Sequence, residues 1–181
     1  MSAGSLKLEG FAGLERALDA LGPKVAVKVL KAAVKASGGP VKKAAKSNAP
    51  RSTGLLRLSI GDRTVRSKRA PVAYTVIGAR ISFKGKKATD ARSKGVRAAF
   101  ARPANYAHLV EFGTAEHWIR ARKQGVLSFA GIITKVVRHP GSRPQPFMRS
   151  AFNASQRRAL SVMGKKAWSG IAKEAKRVAA V

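Results

Sequence analysis

Apolar residues recur along this chain with two different periods, and the change of period divides it. Phe11, Leu14, Leu18 and Leu21 step by three and four, one face of a short helix. Gly22-Pro23 ends that helix and starts another, since proline suits a first-turn position whose amide has no helical partner. The next face is Val25, Val29, Ala33, Ser37, Val41 and Ala45, with Leu30 and Val34 beside it. Gly38-Gly39-Pro40 lies inside this run. Proline there removes a hydrogen bond and crowds the preceding turn. The spacing predicts a kink rather than a break, because the periodicity resumes in register. The helix should stop before Ala49-Pro50, since the residue ahead of a proline avoids helical angles.

After a turn at 51–54 the pattern shortens. Leu55, Leu56, Leu58 and Ile60 lead into strand-like sequence. Residues 63–68 are polar on both faces apart from Val65, as on an edge strand whose charges discourage edge-to-edge pairing. Residues 72–79, with Val72, Tyr74, Thr75, Val76 and Ile77, read most clearly as a strand, and Arg69-Ala70-Pro71 suits the hairpin connection. Residues 81–103 read as a long loop, with a short helix at Ala98-Ala99-Phe100. Residues 126–129 and 132–137 form a second hairpin around Ala130-Gly131. From Pro146 onward Phe147, Ala151, Ser155, Ala159, Met163, Ala167, Ile171, Ala175 and Val178 recur at helical spacing. Gly164 or Gly170 is where that helix could be interrupted.

No helix alternates with the strands, so parallel βαβ units are absent. The expected fold is α+β: a mostly antiparallel sheet covered by long N-terminal and C-terminal helices. One domain over residues 1–181 is expected, helical over 10–48, sheet and long loops over 55–137, and helical again over 146–179.

Charge changes the picture. Thirty-seven Lys and Arg face eight Asp and Glu, a net charge of +29. The basic residues are spread over nearly the whole length. This favours a folded body with a strongly positive face, and a polyanion or acidic partners nearby. No run approaches a membrane span, and the first residues lack the basic-then-apolar order of a secretory signal. There is no cysteine, which excludes disulfides and thiolate metal sites.

Candidate chemistry is thin. His108, His117 and His139 lack any recognised ligand spacing, and His108 with Glu111 reads better as a local pairing than as a metal site. No serine lies in a GxSxG elbow, and Gly85-Lys86-Lys87 lacks the rest of a phosphate loop. Asp62, Asp90, Glu111 and Glu116 show no pairing that would make an acid/base couple. No metal, cofactor or catalytic residue is expected. Zinc-finger, RNP and basic-zipper patterns are missing too, and aromatics at 6% are few for base stacking. Any nucleic-acid contact should then be with phosphates, salt-sensitive and blind to sequence.

Two stretches carry the most information, Asn105 to Thr114 and Arg138 to Phe152. Ala49-Pro50-Arg51-Ser52-Thr53-Gly54-Leu55-Leu56-Arg57-Leu58-Ser59-Ile60, after a long helix, resembles an element of the tail-completion, or head–tail joining, proteins of long-tailed bacteriophages. Tyr106-Ala107-His108-Leu109-Val110-Glu111-Phe112-Gly113-Thr114 resembles a second element of that family. His117-Trp118-Ile119 with Gly125-Val126-Leu127-Ser128-Phe129, and then His139-Pro140-Gly141 with Gln145-Pro146-Phe147-Met148-Arg149-Ser150-Ala151-Phe152, is similar to its ending. The elements keep the family's order over residues 24–160; each alone is weak, and in series they are fairly specific. The chain departs from the pattern at Gly38-Gly39-Pro40, over residues 81–103, and at Ser150, where the family often has proline.

The resemblance implies a non-enzymatic virion protein of the neck, acting when a DNA-filled head meets a finished tail. It implies a homo-oligomeric ring, a hexamer being one candidate, in contact with the tail terminator and the head-completion protein. The expected DNA-facing or partner-facing residues are Lys84, Lys86, Lys87, Arg92, Lys94, Arg97, Arg120, Arg122 and Lys123. Glu111, acidic in a basic chain, is either a hydrogen-bond or salt-bridge partner within the chain or a contact to an Arg of a neighbouring subunit. The alternative is a sequence-nonspecific basic nucleic-acid-binding protein, acting as a monomer or dimer.

Overall fold

The computed structural model describes residues 13, 16, 22–52, 54–66, 72–80, 102–122, 125–129 and 131–179. The predicted first helix (apart from Gly13 and Arg16), the 69–71 connection, and the 81–103 loop up to residue 101 with its short helix lie outside them. The described chain forms two compact units: Met1–Ser47, Ile60–Gly78 and Ala151–Val181 in one, Asn48–Ser59 and Ala79–Ser150 in the other.

The first unit contains most of the long helix α1, Pro23–Asn48. It buries Val29, Ala33, Val41 and Ala45 of the face that the spacing picks out, with Gly38 beside them and Val25 and Ser37 half-buried, and ends just before Ala49-Pro50. It is not broken at Pro40, which stands inside it. The neighbouring glycine has a packing role. A Cβ on Gly38 would stand 3.1 Å from Thr75 Cγ2 and 3.5 Å from Ile77 Cδ1. Thr75 Oγ1 donates to the Val34 carbonyl at 3.2 Å. Thr75 and Ile77 belong to β2, Ala73–Ala79, which pairs with β1, Ile60–Arg66. Thr64 and Thr75 join the two strands through their hydroxyls at 2.8 Å. Lys42 of α1 pairs with Asp62 of β1. On the other face of β2, Tyr74 and Val76 are exposed, as is Val72 just before the strand.

The last helix, Phe147–Ala179, is uninterrupted at Gly164 and Gly170. It buries Phe147, Ala151, Ser155, Ala167 and Ile171, again the predicted face, whereas Ala175 is exposed. In the first unit Ala167 and Ile171 pack with Val29 and Ala33 of α1, flanked by Val25, Leu30 and Met163.

In the second unit, residues 55–59 are a short helix, α2 (Leu55–Ser59), where the sequence reads as leading into a strand. Leu55, Leu56 and Ser59 are its buried positions, a spacing of one and four, and Ser59 Oγ closes onto the Leu56 carbonyl. A 3₁₀ turn, Pro103–Asn105, runs into the helix α3, Ala107–Phe112. Strands β3 (His117–Arg120), β4 (Leu127–Phe129), β5 (Ile132–Thr134) and β6 (Val136–His139) follow. β4 and β5 form the expected hairpin around 130–131, Phe129 opposite Ile132. The run 132–137 is split, however. At the split the Thr134 hydroxyl donates to the Val136 carbonyl and accepts from the Val136 amide, so β6 leaves β5 and pairs antiparallel with β3.

The architecture is α+β, as the order of helices and strands predicts. Among the described residues the strands are distributed over three two-stranded sheets rather than one. Among the described residues no helix is long and apolar enough to cross a membrane. The final helix is called α4 below.

Candidate functional site

The two informative stretches meet in the second unit. Helix α3 ends at Gly113, whose φ of +73° a side-chain-bearing residue rarely adopts. The chain then runs through Thr114, which bonds Ser142 in both directions. Gly141 approaches from the second stretch at φ +84°. A Cβ on Gly113 would strike the Ser142 carbonyl and Pro144, and one on Gly141 would strike the Thr114 carbonyl. The Gln145 amide then donates to the Val110 carbonyl at 2.8 Å, holding the two stretches together up to the first turn of α4.

That first turn explains Glu111. Helix α4 begins after Arg143-Pro144-Gln145-Pro146, which contains no Ser, Thr, Asp or Asn to cap it. Its opening amides need acceptors from elsewhere. Glu111 supplies both oxygens, Oε2 to the Met148 amide at 2.8 Å and Oε1 to the Arg149 amide at 2.9 Å. Glu111 is 8% exposed, and its carboxylate sits at the positive end of the α4 dipole. Glu111 is therefore a helix cap across 37 residues of sequence, not a pairing with His108. A contact to a neighbouring Arg would have to share a carboxylate that two amides already engage. Arg149, beside it, stands 5.8 Å over the exposed ring of Phe112.

On the β3–β6 pair, His117 and His139 are opposite each other with ring centroids 5.0 Å apart. Each is tied to backbone, His117 Nδ1 to the Ala115 carbonyl and His139 Nδ1 to the Gly141 amide. Glu116 receives both Nε and Nη2 of Arg138, whose guanidinium this hydrogen bond holds more firmly protonated. Trp118 on the same strand pair is 61% exposed and Phe112 64%, and Ile132 and Ile133 of the β4–β5 hairpin are also exposed. Large exposed apolar side chains of this kind suit a protein contact.

Of the predicted positive residues, Arg120 and Arg122 are described. Both are exposed at the end of β3. The Ala121 amide between them donates to the Lys135 carbonyl at 2.9 Å, which brings exposed Lys135 into the group. The sequence gives no local sign of Lys135, because it joins only through the β3–β6 pairing. None of the three has a carboxylate partner among the described residues. Lys84, Lys86, Lys87, Arg92, Lys94, Arg97 and Lys123 lie outside the described residues.

In comparison with known proteins, one family model matches, described as "Bacteriophage HK97-gp10, putative tail-component", over residues 12–113. The match covers more than half of the chain, including α1, the 49–60 element and α3, and ends at Gly113. No curated protein matches the chain, and no solved structure does.

Proposed function

The chain belongs to the HK97-gp10-like family of bacteriophage tail components, and from that premise we propose that it is the head–tail joining protein of the neck. It acts as a subunit of a ring around the DNA path, holding a filled head to a finished tail. Its work is structural, made of contacts to neighbouring virion proteins such as the tail terminator and head-completion protein.

The observation that carries this reading is a charge the chain does not neutralise itself. Net charge is +29, and the four described carboxylates are all engaged internally: Asp62 by Lys42, Glu111 by the α4 amides, Glu116 by Arg138, and Glu174 by Lys28 and Arg177. A ring at a DNA conduit, beside acidic neighbours, is a place where such a field lowers the energy of the assembly. Arg120, Arg122, Lys123 and the 84–97 lysines and arginines face DNA phosphates or acidic partners in this reading. Subunits of like charge then adhere through apolar contact, and Phe112, Trp118 and the β4–β5 hairpin offer it. Glu111 serves the subunit interface through the α4 start that it holds.

Electron microscopy of lysates from a phage lacking this gene tests the proposal. DNA-filled heads beside complete, unattached tails are expected. Intact normal particles would reject the neck role and favour a nonspecific nucleic-acid-binding protein. Empty heads, or tails of uncontrolled length, would place it at another assembly step.

A further inference from the structure

Helices α1 and α4 run antiparallel in the first unit. Lys28 pairs with Glu174, and Val29 lies against Gly170, at one end. Residues 39–47 and 154–162 face each other at the opposite end. Where Val29 meets Gly170 the helices touch. At the other end they leave a cleft of about 500 Å³. Its lining is apolar from Pro40, Ala44, Ala154 and Val162, with the exposed cations Lys43 and Arg158 on its walls. Neither cation has a carboxylate partner among the described residues.

We propose that this cleft receives an acidic, amphipathic helical segment of another protein. Its apolar side chains enter between α1 and α4, and its carboxylates meet Lys43 and Arg158. The mode is a helix laid into a groove, with charge fixing its orientation. Three considerations select this occupant. The volume falls within the roughly 300–1,000 Å³ of ligand-sized clefts, room for side chains and not for a duplex. A DNA duplex projects phosphates outward and keeps its apolar base faces stacked inside, so it has no protruding apolar side chain to enter the cleft. A second copy of this chain has no unengaged carboxylate among its described residues to pair with Lys43 and Arg158. The inference stands independently of the assembly step at which the protein acts.

The test uses the full chain and three fluorescent probes. One is a synthetic amphipathic helix of Leu and Glu, the second a scrambled peptide of the same composition, and the third a short DNA duplex. Affinity is read by anisotropy, with circular dichroism checking that each variant keeps its helices. The amphipathic peptide should bind at least about tenfold more tightly than the scrambled one. Ala154→Trp fills the cleft at an exposed position without changing charge, and Lys43→Glu/Arg158→Glu reverses its cations. Each should weaken the amphipathic peptide about tenfold or more. Lys165→Glu/Lys166→Glu, an equal charge change at exposed positions outside the cleft, should not. The proposal is overturned by equal binding of the two peptides, by equal losses in the two charge variants, or by an Ala154→Trp protein that binds as before. A response of the duplex alone to the cleft variants would overturn it in favour of DNA.

Discussion

Thr114 and Ser142 exchange both of their backbone hydrogen bonds, at 3.0 and 3.1 Å, and so bind the end of α3 to the approach of α4. Gly113 and Gly141 make this possible, each at positive φ and each with a neighbouring carbonyl where a Cβ would stand. Gly113→Ala should therefore destabilise the fold by about 2 kcal/mol or more, combining backbone strain with a clash. Denaturant unfolding with an unchanged m-value measures it. A loss under about 0.5 kcal/mol would mean that the junction relaxes freely.

Glu111 should matter through the amides it caps. Glu111→Ala leaves the Met148 and Arg149 amides without their acceptor at a buried position, for an expected loss of about 2 kcal/mol. Glu111→Gln keeps one acceptor oxygen but no charge at the helix start, so its loss should be smaller. Hydrogen exchange gives the specific readout: the Met148 and Arg149 amides should lose protection before the middle of α4 does. Unchanged protection there would refute the capping role.

One substitution at two glycines of α4 should have opposite signs. Gly164 has nothing within 4 Å of a built Cβ, so Gly164→Ala should stabilise by up to about 1 kcal/mol through helix propensity. At Gly170 the same Cβ would stand 2.8 Å from Val29 Cγ1, and Gly170→Ala should cost about 1–3 kcal/mol. Val29→Ala should recover part of that cost in the double mutant. Thermal unfolding of the wild type, the three single mutants and the double mutant decides it.

The Glu174 carboxyl is held below the usual carboxylate range, first by its hydrogen bond from Lys28, then by the charges of Lys28, Arg177 and Lys173, with burial opposing. A lowered folded-state pKa means that this stabilisation is present above the unfolded value of about 4.3 and is lost as pH falls through the folded value. In acid, wild-type protein should lose thermal stability more steeply than Glu174→Gln, and the two curves should converge. Parallel curves would mean that the pairing has no net effect on stability.

If Arg120, Arg122 and Lys135 meet DNA phosphates, replacing all three with Ala should flatten the plot of log affinity against log salt. Each lost contact should contribute about 0.9 to the slope. An unchanged slope would assign these residues to a protein partner.

Much of the fold was legible because burial has a period. Val29, Ala33, Val41 and Ala45 are buried where the spacing of α1 places them, and Ala151, Ser155, Ala167 and Ile171 do the same for α4. The β4–β5 hairpin and β2 follow their residue types just as directly. The pattern failed at Leu55–Ser59, where leucine-rich sequence suits a short helix or a strand and packing chose the helix. It also failed within 132–137, where the Thr134 side chain lets the strand change partner.

The sequence by itself determined what is local or summed: the helical faces, the stop at Ala49-Pro50, the turn glycines, the charge of +29 and the family resemblance. Only the tertiary structure decided which distant groups meet. The Glu111 cap on α4, Lys135 beside Arg120 and Arg122, Val29 against Gly170, and the cleft at Lys43 and Arg158 all join residues far apart in the chain. Periodicity specifies which side of an element is buried. It carries no record of the partner on that side, because that pairing is settled by packing among elements that local spacing cannot see.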